Sequence, residues 1–278
     1  EIASNSPLDK STEGKTSKSQ KKYCDYKIKK ATDEGCNMLG ITKYQLNNSG
    51  YEIYTNLDVN LQKSLYENAN NSQFFESDDV QSVQIVVDNV QNAVVACYAS
   101  LGYDIKRQVG SVMKPIAVYA PAIDMNLVSL ATPVVDEKID FGGYRPSNFN
   151  DKYYGETTIR DAIKKSMNSV AVKTLSYVGL PQSAQYISNF GVNLEYFDQN
   201  YALALGATAN GVSPTEICSA YTALANNGIY KENSFVKYVA IDGNKIYISS
   251  QTSSRSVVKS STASIITSAL SDTVKDGT

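Results

Sequence analysis

Apolar positions are almost absent at the start of the chain and then recur with helical and strand periods. Glu1 to about Gln20 is built from Ser, Thr, Lys and Asp, which predicts a mobile tail. Lys21 to about Met38 predicts a helix, and the alternation of Tyr51, Ile53, Thr55 and Leu57 predicts a half-buried strand. Asp58 is placed to cap a helix carrying Val59, Leu61, Leu65 and Tyr66, which fades near Asn70 and Asn71. Ser82–Val87 and Ala93–Tyr98 are β-rich runs on either side of the turn-forming Asp88-Asn89, so they predict an antiparallel hairpin and the start of a central sheet.

Beyond Gly110 an apolar helical pattern runs through Ile116–Ala120, followed by a long irregular stretch to Gly155 punctuated by Pro121, Pro133, Gly142, Gly143 and Pro146. Loops of that length often carry function. Thr158-x-x-Asp161 opens a helix that runs towards Ser166, Pro181–Phe190 is stopped by Gly191, and Ser213-Pro214-Thr215-Glu216 has the order of N-cap, N1 proline and capping-box glutamate. Phe235–Ile241 and Lys245–Ile248 flank the hairpin turn Asp242-Gly243-Asn244, a last helix spans about Ser261–Val274, and no internal repeat is found.

Composition narrows the chemistry. The 278 residues are 42% hydrophobic with a mean hydropathy of -0.29, enough for one main domain plus an appendage. A net charge of -2 sets aside nucleic acid and anionic membrane surfaces as main partners. There is no histidine, which removes Ser-His-Asp triads, Cys-His pairs and His-ligated zinc together. Cys24, Cys36, Cys97 and Cys218 form no Cys-x-x-Cys pair; Cys97 and Cys218 read as buried thiols, and pairing of Cys24 with Cys36 stays open. No apolar run of 18 residues or more and no signal-peptide pattern occurs.

A serine enzyme without histidine needs lysine or a carboxylate as its base. Ser-x-x-Lys at Ser111–Lys114 has apolar walls, Tyr103 and Ile105 before it and Ile116–Ala120 after it, which the pairs Ser19–Lys22 and Ser256–Lys259 lack. Three positions apart on a helix, Ser111 and Lys114 share a face, and a serine at a helix N-terminus has its own amide free for an oxyanion. Ser111 is the candidate nucleophile and Lys114 the candidate base. Ser166-Met167-Asn168, the one Ser-x-Asn in the chain, can turn both polar groups to one pocket only if its helix is interrupted.

The segments Gly50–Asp58, Arg107-Gln108-Val109-Gly110-Ser111-Val112-Met113-Lys114-Pro115, Tyr144–Phe149, Gly155–Ala162, Ser166-Met167-Asn168 and Ala202–Gly206, in that order, resemble class A penicillin-binding proteins from about Tyr23 onward. The resemblance implies the transpeptidase domain of a bifunctional peptidoglycan synthase: an α/β fold with a central antiparallel sheet flanked by helices and a helical subdomain carrying Ser166 and Asn168. It implies a flexible linker tail over 1–20, an inter-domain linker region over 21–80 and the transpeptidase domain over 81–278. It further implies Ser111 as the acylated nucleophile, Lys114 as base, Ser166 as proton relay and Asn168 as a substrate-backbone ligand, with no cofactor or metal. The lysine must then lose about two to three pKa units, by burial and neighbouring positive charge, to work as a base.

Val109 and Met113 stand where the family usually has proline and an aromatic residue. No lysine is followed by Thr-Gly or Ser-Gly, the family's third motif, so that motif and its strands are expected beyond Thr278 and this chain is expected to acylate slowly. The implied partners are stem peptides ending in D-Ala-D-Ala and β-lactams, on the extracytoplasmic side of a bacterial plasma membrane. A serine β-lactamase and a non-catalytic β-lactam sensor or scaffold remain alternatives, separated by the life of the acyl-enzyme and by binding without acyl transfer.

Overall fold

The computed structural model describes residues 2–4, 18–70, 80–100, 105–248 and 253–277. In chain order these form β1 (Ile2–Ser4), α1 (Lys18–Leu39), α2 (Lys43–Asn48), β2 (Tyr51–Thr55), α3 (Val59–Ala69), β3 (Val83–Asp88), β4 (Ala93–Ala99), α4 (Ala120–Asp124), β5 (Pro133–Asp136), β6 (Gly155–Thr158), α5 (Ile159–Lys164), α6 (Asn168–Val178), α7 (Leu180–Asn189), α8 (Pro214–Ala225), β7 (Ile229–Tyr230), β8 (Val236–Ile241), β9 (Asn244–Ile248), β10 (Arg255–Ser256) and α9 (Ser260–Asp276). The local signals act as their chemistry requires. Asp58 accepts from the Leu61 amide at 2.9 Å, Thr158 from Asp161, and Ser213 and Glu216 close a full capping box at the start of α8.

The chain divides into two compact units, one made of Glu1–Ile105 with Glu232–Ser253 and the other of Lys106–Lys231 with Ser254–Thr278. The first holds a four-stranded sheet in the order β1-β2-β8-β9, with β1 parallel to β2 and the other pairs antiparallel. Its core gathers Ala31, Leu46, Ile53, Val94, Cys97, Phe235, Val236 and Val239.

Three expectations change here. Residues 2–4, within the stretch whose composition predicts a tail, pair with β2; residues 5–17 lie outside the described residues. Strand pairing is a backbone interaction, so a partner edge can recruit a segment with no side-chain pattern of its own. The β3–β4 hairpin forms as predicted but makes a sheet of its own. The other edge of β4 is occupied: Gln62 donates to Cys97 O (2.8 Å) and accepts from Cys97 N (2.9 Å), the Asp58 amide donates to Val95 O, and Lys27 Nζ donates to Val94 O at 2.5 Å. Cys36 is a free, buried thiol. Cys24 and Cys36 lie in the same helix about 18 Å apart along its axis, far beyond disulfide reach.

The second unit is held by Met113, Ile116–Ala120, Ile159, Met167, Val170–Val172, Leu175, Leu203, Ala220 and Ile266, all buried. Helix α6 buries Ser169, Val170, Ala171, Val172, Thr174, Leu175 and Val178, so it runs through this core. The stretch predicted as irregular contains β5, paired antiparallel to β6. Four residues opening on a proline give too short a pattern to read, although proline is tolerated at the first position of a strand. Cys97 is buried and Cys218 half-buried.

Glu34 accepts from Ser234 Oγ and from the Phe235 amide (2.8 Å), and burial, reinforced by nearby Glu232, lifts its carboxyl to about 7. A raised carboxyl pKa favours the protonated folded state, so this group stabilises fully below its unfolded value and the contribution is lost as pH rises through about 7. Urea midpoints of the wild type should therefore fall between about pH 4.5 and 7 more steeply than those of Glu34→Gln. Parallel pH profiles would exclude this assignment.

Candidate active site

Gly110 to Asp124 is one helical run in three registers, 3-10 over Gly110–Met113, π over Pro115–Tyr119 and α in α4. The prolines set those registers. Pro115 has no N–H for the carbonyl of Ser111, which accepts instead from Lys114 N; Pro121 has none for Ala117 O, which accepts from Ser183 Oγ at 2.6 Å. Ser111 is exposed in the first turn, where its amide has no intrahelical acceptor. Lys114, one turn on, is 2% exposed.

The interruption that convergence of Ser166 and Asn168 on one pocket would need is present. Helix α5 ends at Lys164, Ser166 takes a left-handed φ of 52°, and α6 starts at Asn168. That conformation is uncommon for a residue with a side chain. It directs three acceptors at one amine: Lys114 Nζ lies 2.6 Å from Ser166 O, 3.0 Å from Ser166 Oγ and 2.6 Å from Asn168 Oδ1. Burial lowers the Lys114 pKa to about 8, and no neighbouring cation contributes among the described residues, so desolvation acts without the second factor expected from sequence. Ser111 Oγ makes no hydrogen bond among the described residues.

Two sets of residues fix these positions, and neither was singled out by the sequence reading. The turn before Ser111 is clamped by Gln108, whose amide donates to Thr208 O (2.5 Å) and accepts from Thr208 N (2.8 Å), by paired bonds between Arg107 and Val212, and by Tyr221 Oη donating to Val112 O (2.8 Å). Gly206, at φ 78°, lies against Gly110 so closely that a Cβ would sit 2.3 Å from its carbonyl oxygen. The start of α6 is capped from afar: Asn148 Oδ1 accepts from the amides of Asn168 (2.7 Å) and Ser169 (3.2 Å), and Asn148 Nδ2 donates to Asp136 (2.8 and 2.9 Å). Asp136, 1% exposed, also accepts from Ser169 Oγ and from Tyr154 N at 2.9 Å. Asn168 Nδ2 donates to Ser147 O at 2.7 Å, so both ends of that amide have partners within the chain. The advance signal was that Arg107–Pro115, Tyr144–Phe149 and Ala202–Gly206 belong to the segments carrying the resemblance.

The Ser256–Lys259 pair is unlike this one. Lys259 Nζ donates to Asp124 O (2.6 Å) and Ser256 Oγ points to Val258 O (3.4 Å), while the side chains of Ser19, Lys22 and Tyr103 lie outside the described residues.

The family model for the penicillin binding protein transpeptidase domain matches residues 70–278. The chain belongs to the class A penicillin-binding protein transpeptidase family. Penicillin-binding protein 1F of Bacillus subtilis (strain 168) is 32% identical over 266 residues, covering 92% of this chain and 36% of that protein. Penicillin-binding protein 1A of Streptococcus oralis is 28% identical over 303 residues, covering 100% of this chain and 46% of that protein. This penicillin-binding protein chain thus spans between about a third and a half of the curated relatives' length. The solved PonA1 protein from Mycobacterium tuberculosis in complex with penicillin V has the same fold, with TM-score 0.73 and 22% identity over 87% of this chain and 69% of that one. The D,D-transpeptidase domain of a peptidoglycan glycosyltransferase from Eggerthella lenta matches with TM-score 0.70 and 17% identity over 84% of this chain and 70% of that one. The α/β fold class expected from the sequence is that of these transpeptidase domains.

Two outcomes follow from this geometry. Gly206→Ala, at a left-handed position facing backbone, should destabilise by more than the roughly 1 kcal/mol of an incompatible glycine replacement, and denaturant unfolding would read it; an unchanged midpoint would mean that the turn before Ser111 yields freely. Lys114, with its folded pKa lowered, gives its full stabilisation above its unfolded value near 10.5 and loses it as pH falls through about 8. The stability difference between wild type and Lys114→Met should therefore grow by roughly 2–3 kcal/mol over that window, and a flat difference would show that the amine is not held neutral.

Proposed function

We propose that this penicillin-binding protein domain is a serine D,D-transpeptidase in which Ser111 is acylated by the D-alanyl-D-alanine amide of a stem peptide and the acyl group passes to an amine of a neighbouring stem. The observation carrying this reading is the buried, histidine-free Lys114 amine facing Ser166 and Asn168 one turn after an exposed serine. An ammonium fills all three contacts as donor. The neutral amine has two N–H protons and one lone pair, so it keeps two of the three contacts and its lone pair is free for another proton. That gives a proton route: Lys114 takes the Ser111 proton on its lone pair as Oγ attacks, the ammonium so formed donates to Ser166 Oγ, and the Ser166 hydroxyl proton passes to the leaving D-alanine amine.

Asn168, with its oxygen on Lys114 and one N–H on Ser147, orients the base and keeps a second N–H for substrate backbone. The Ser111 amide supplies one oxyanion donor. A β-lactam carries the same reactive amide and forms the same ester with Ser111. The setting that fits is cell-wall cross-linking on the extracytoplasmic face of a bacterial membrane.

The test is a fluorescent penicillin followed by peptide mass spectrometry. The adduct should fall on Ser111, its rate should rise with pH around a midpoint near 8 as Lys114 loses its proton, and Lys114→Ala should slow it by about 10²–10⁴-fold. An adduct on Ser166 or Ser256 with Ser111 free, or a rate indifferent to Lys114, would overturn the proposal.

A further inference from the structure

We infer that Lys152, Tyr154 and Lys165 form an anion-binding ledge beside Ser166 that receives a carboxylate of the peptide substrate, a specificity element resting on the transpeptidase reading above. Two ammonium groups share one aromatic ring: Lys165 Nζ lies 4.4 Å and Lys152 Nζ 5.0 Å from the centroid of Tyr154. Each gains from the ring's negative face. Neither has a carboxylate within ion-pair distance among the described residues, whereas nearby Lys138 and Lys173 are each matched, with Asp151 and Glu137 at 2.8 and 2.7 Å. Two like charges drawn to one ring repel each other, and an anion bound close to both relieves that repulsion while gaining attraction to each.

The ledge is also fixed relative to the reacting groups. Lys165 directly precedes Ser166, and its amide is held by Asp161 O at 2.9 Å. Lys152 O accepts from Asn148 Nδ2 (3.0 Å) and Tyr154 N donates to Asp136 (2.9 Å), so both are tied to the buried pair that caps α6 and places Asn168. All three side chains are exposed, leaving them accessible to a ligand. A flexible lysine on open surface binds nothing selectively, but two lysines on a ring anchored to the site's own scaffold can separate a carboxylate from its amide. Peptide substrates differ in that property, because a side-chain or terminal carboxyl is either free or amidated.

The test is an NMR titration of the isotope-labelled chain with two D-Ala-D-Ala-ending peptides differing only in one internal carboxylate or carboxamide. The carboxylate peptide should perturb the amides of Lys152, Tyr154 and Lys165 at lower concentration. That preference should shrink about two- to fivefold with Lys165→Gln or Lys152→Gln, as for exposed ion pairs, vanish in the double variant and at high salt, and persist in Lys165→Arg. Persistence of the preference after penicillin has blocked Ser111 would assign the ledge to the acceptor stem, and its loss to the donor stem. Equal binding of both peptides, or an unchanged preference in the double variant, would overturn the ledge even where penicillin labels Ser111. A preference that follows the lysines while Ser111 stays unlabelled would instead uphold the ledge and overturn the transpeptidase reading.

Discussion

One buried amine organises this site. Lys114 is 2% exposed, and a charged ammonium at that depth is tolerated only because three oxygens from a single broken helix surround it. Those contacts favour charge while burial opposes it, and burial wins by enough to bring the pKa to about 8. An amine near that value can lose and regain a proton under ordinary conditions. The segments around it bury Lys114, hold its acceptors or fix the turn before Ser111.

The acceptors require backbone that would not form unaided. Ser166 sits at a left-handed φ of 52°, and α6 begins at Met167 without a side-chain cap of its own. Asn148 supplies that cap from another segment, and the buried Asp136 holds Asn148, so a strained turn is kept in place by a chain of hydrogen bonds ending in a carboxylate. At the other end Gly206 and Gln108 do the matching work on the turn before Ser111. Both the turn that carries Ser111 and the break that carries the acceptors of Lys114 are thus tied to backbone by short polar contacts.

Much of this was legible in the sequence. The Asp58, Thr158 and Ser213 caps, the Asp242-Gly243 hairpin and the apolar pattern after Gly110 each follow from local chemistry, because caps and turns depend on residues only a few positions apart. The absence of histidine left lysine or a carboxylate as candidate base, and apolar neighbours selected Lys114 over the lysines of Ser19–Lys22 and Ser256–Lys259. The Ser-x-Asn spacing could bring both side chains to one pocket only through a helix break, and one occurs there.

Long-range pairing was decided only in three dimensions. Periodicity shows that Val83–Asp88 and Ala93–Ala99 are strands, but not that Gln62, Asp58 and Lys27 bond to the far edge of β4. Nor could it show that Asn148 and Asp136, 20 and 33 residues from the groups they hold, cap α6. Local periodicity is written in neighbours along the chain. Caps and clamps between distant segments depend on where folding brings each donor and acceptor, and a single polar residue looks the same in sequence whether it meets water or a helix end.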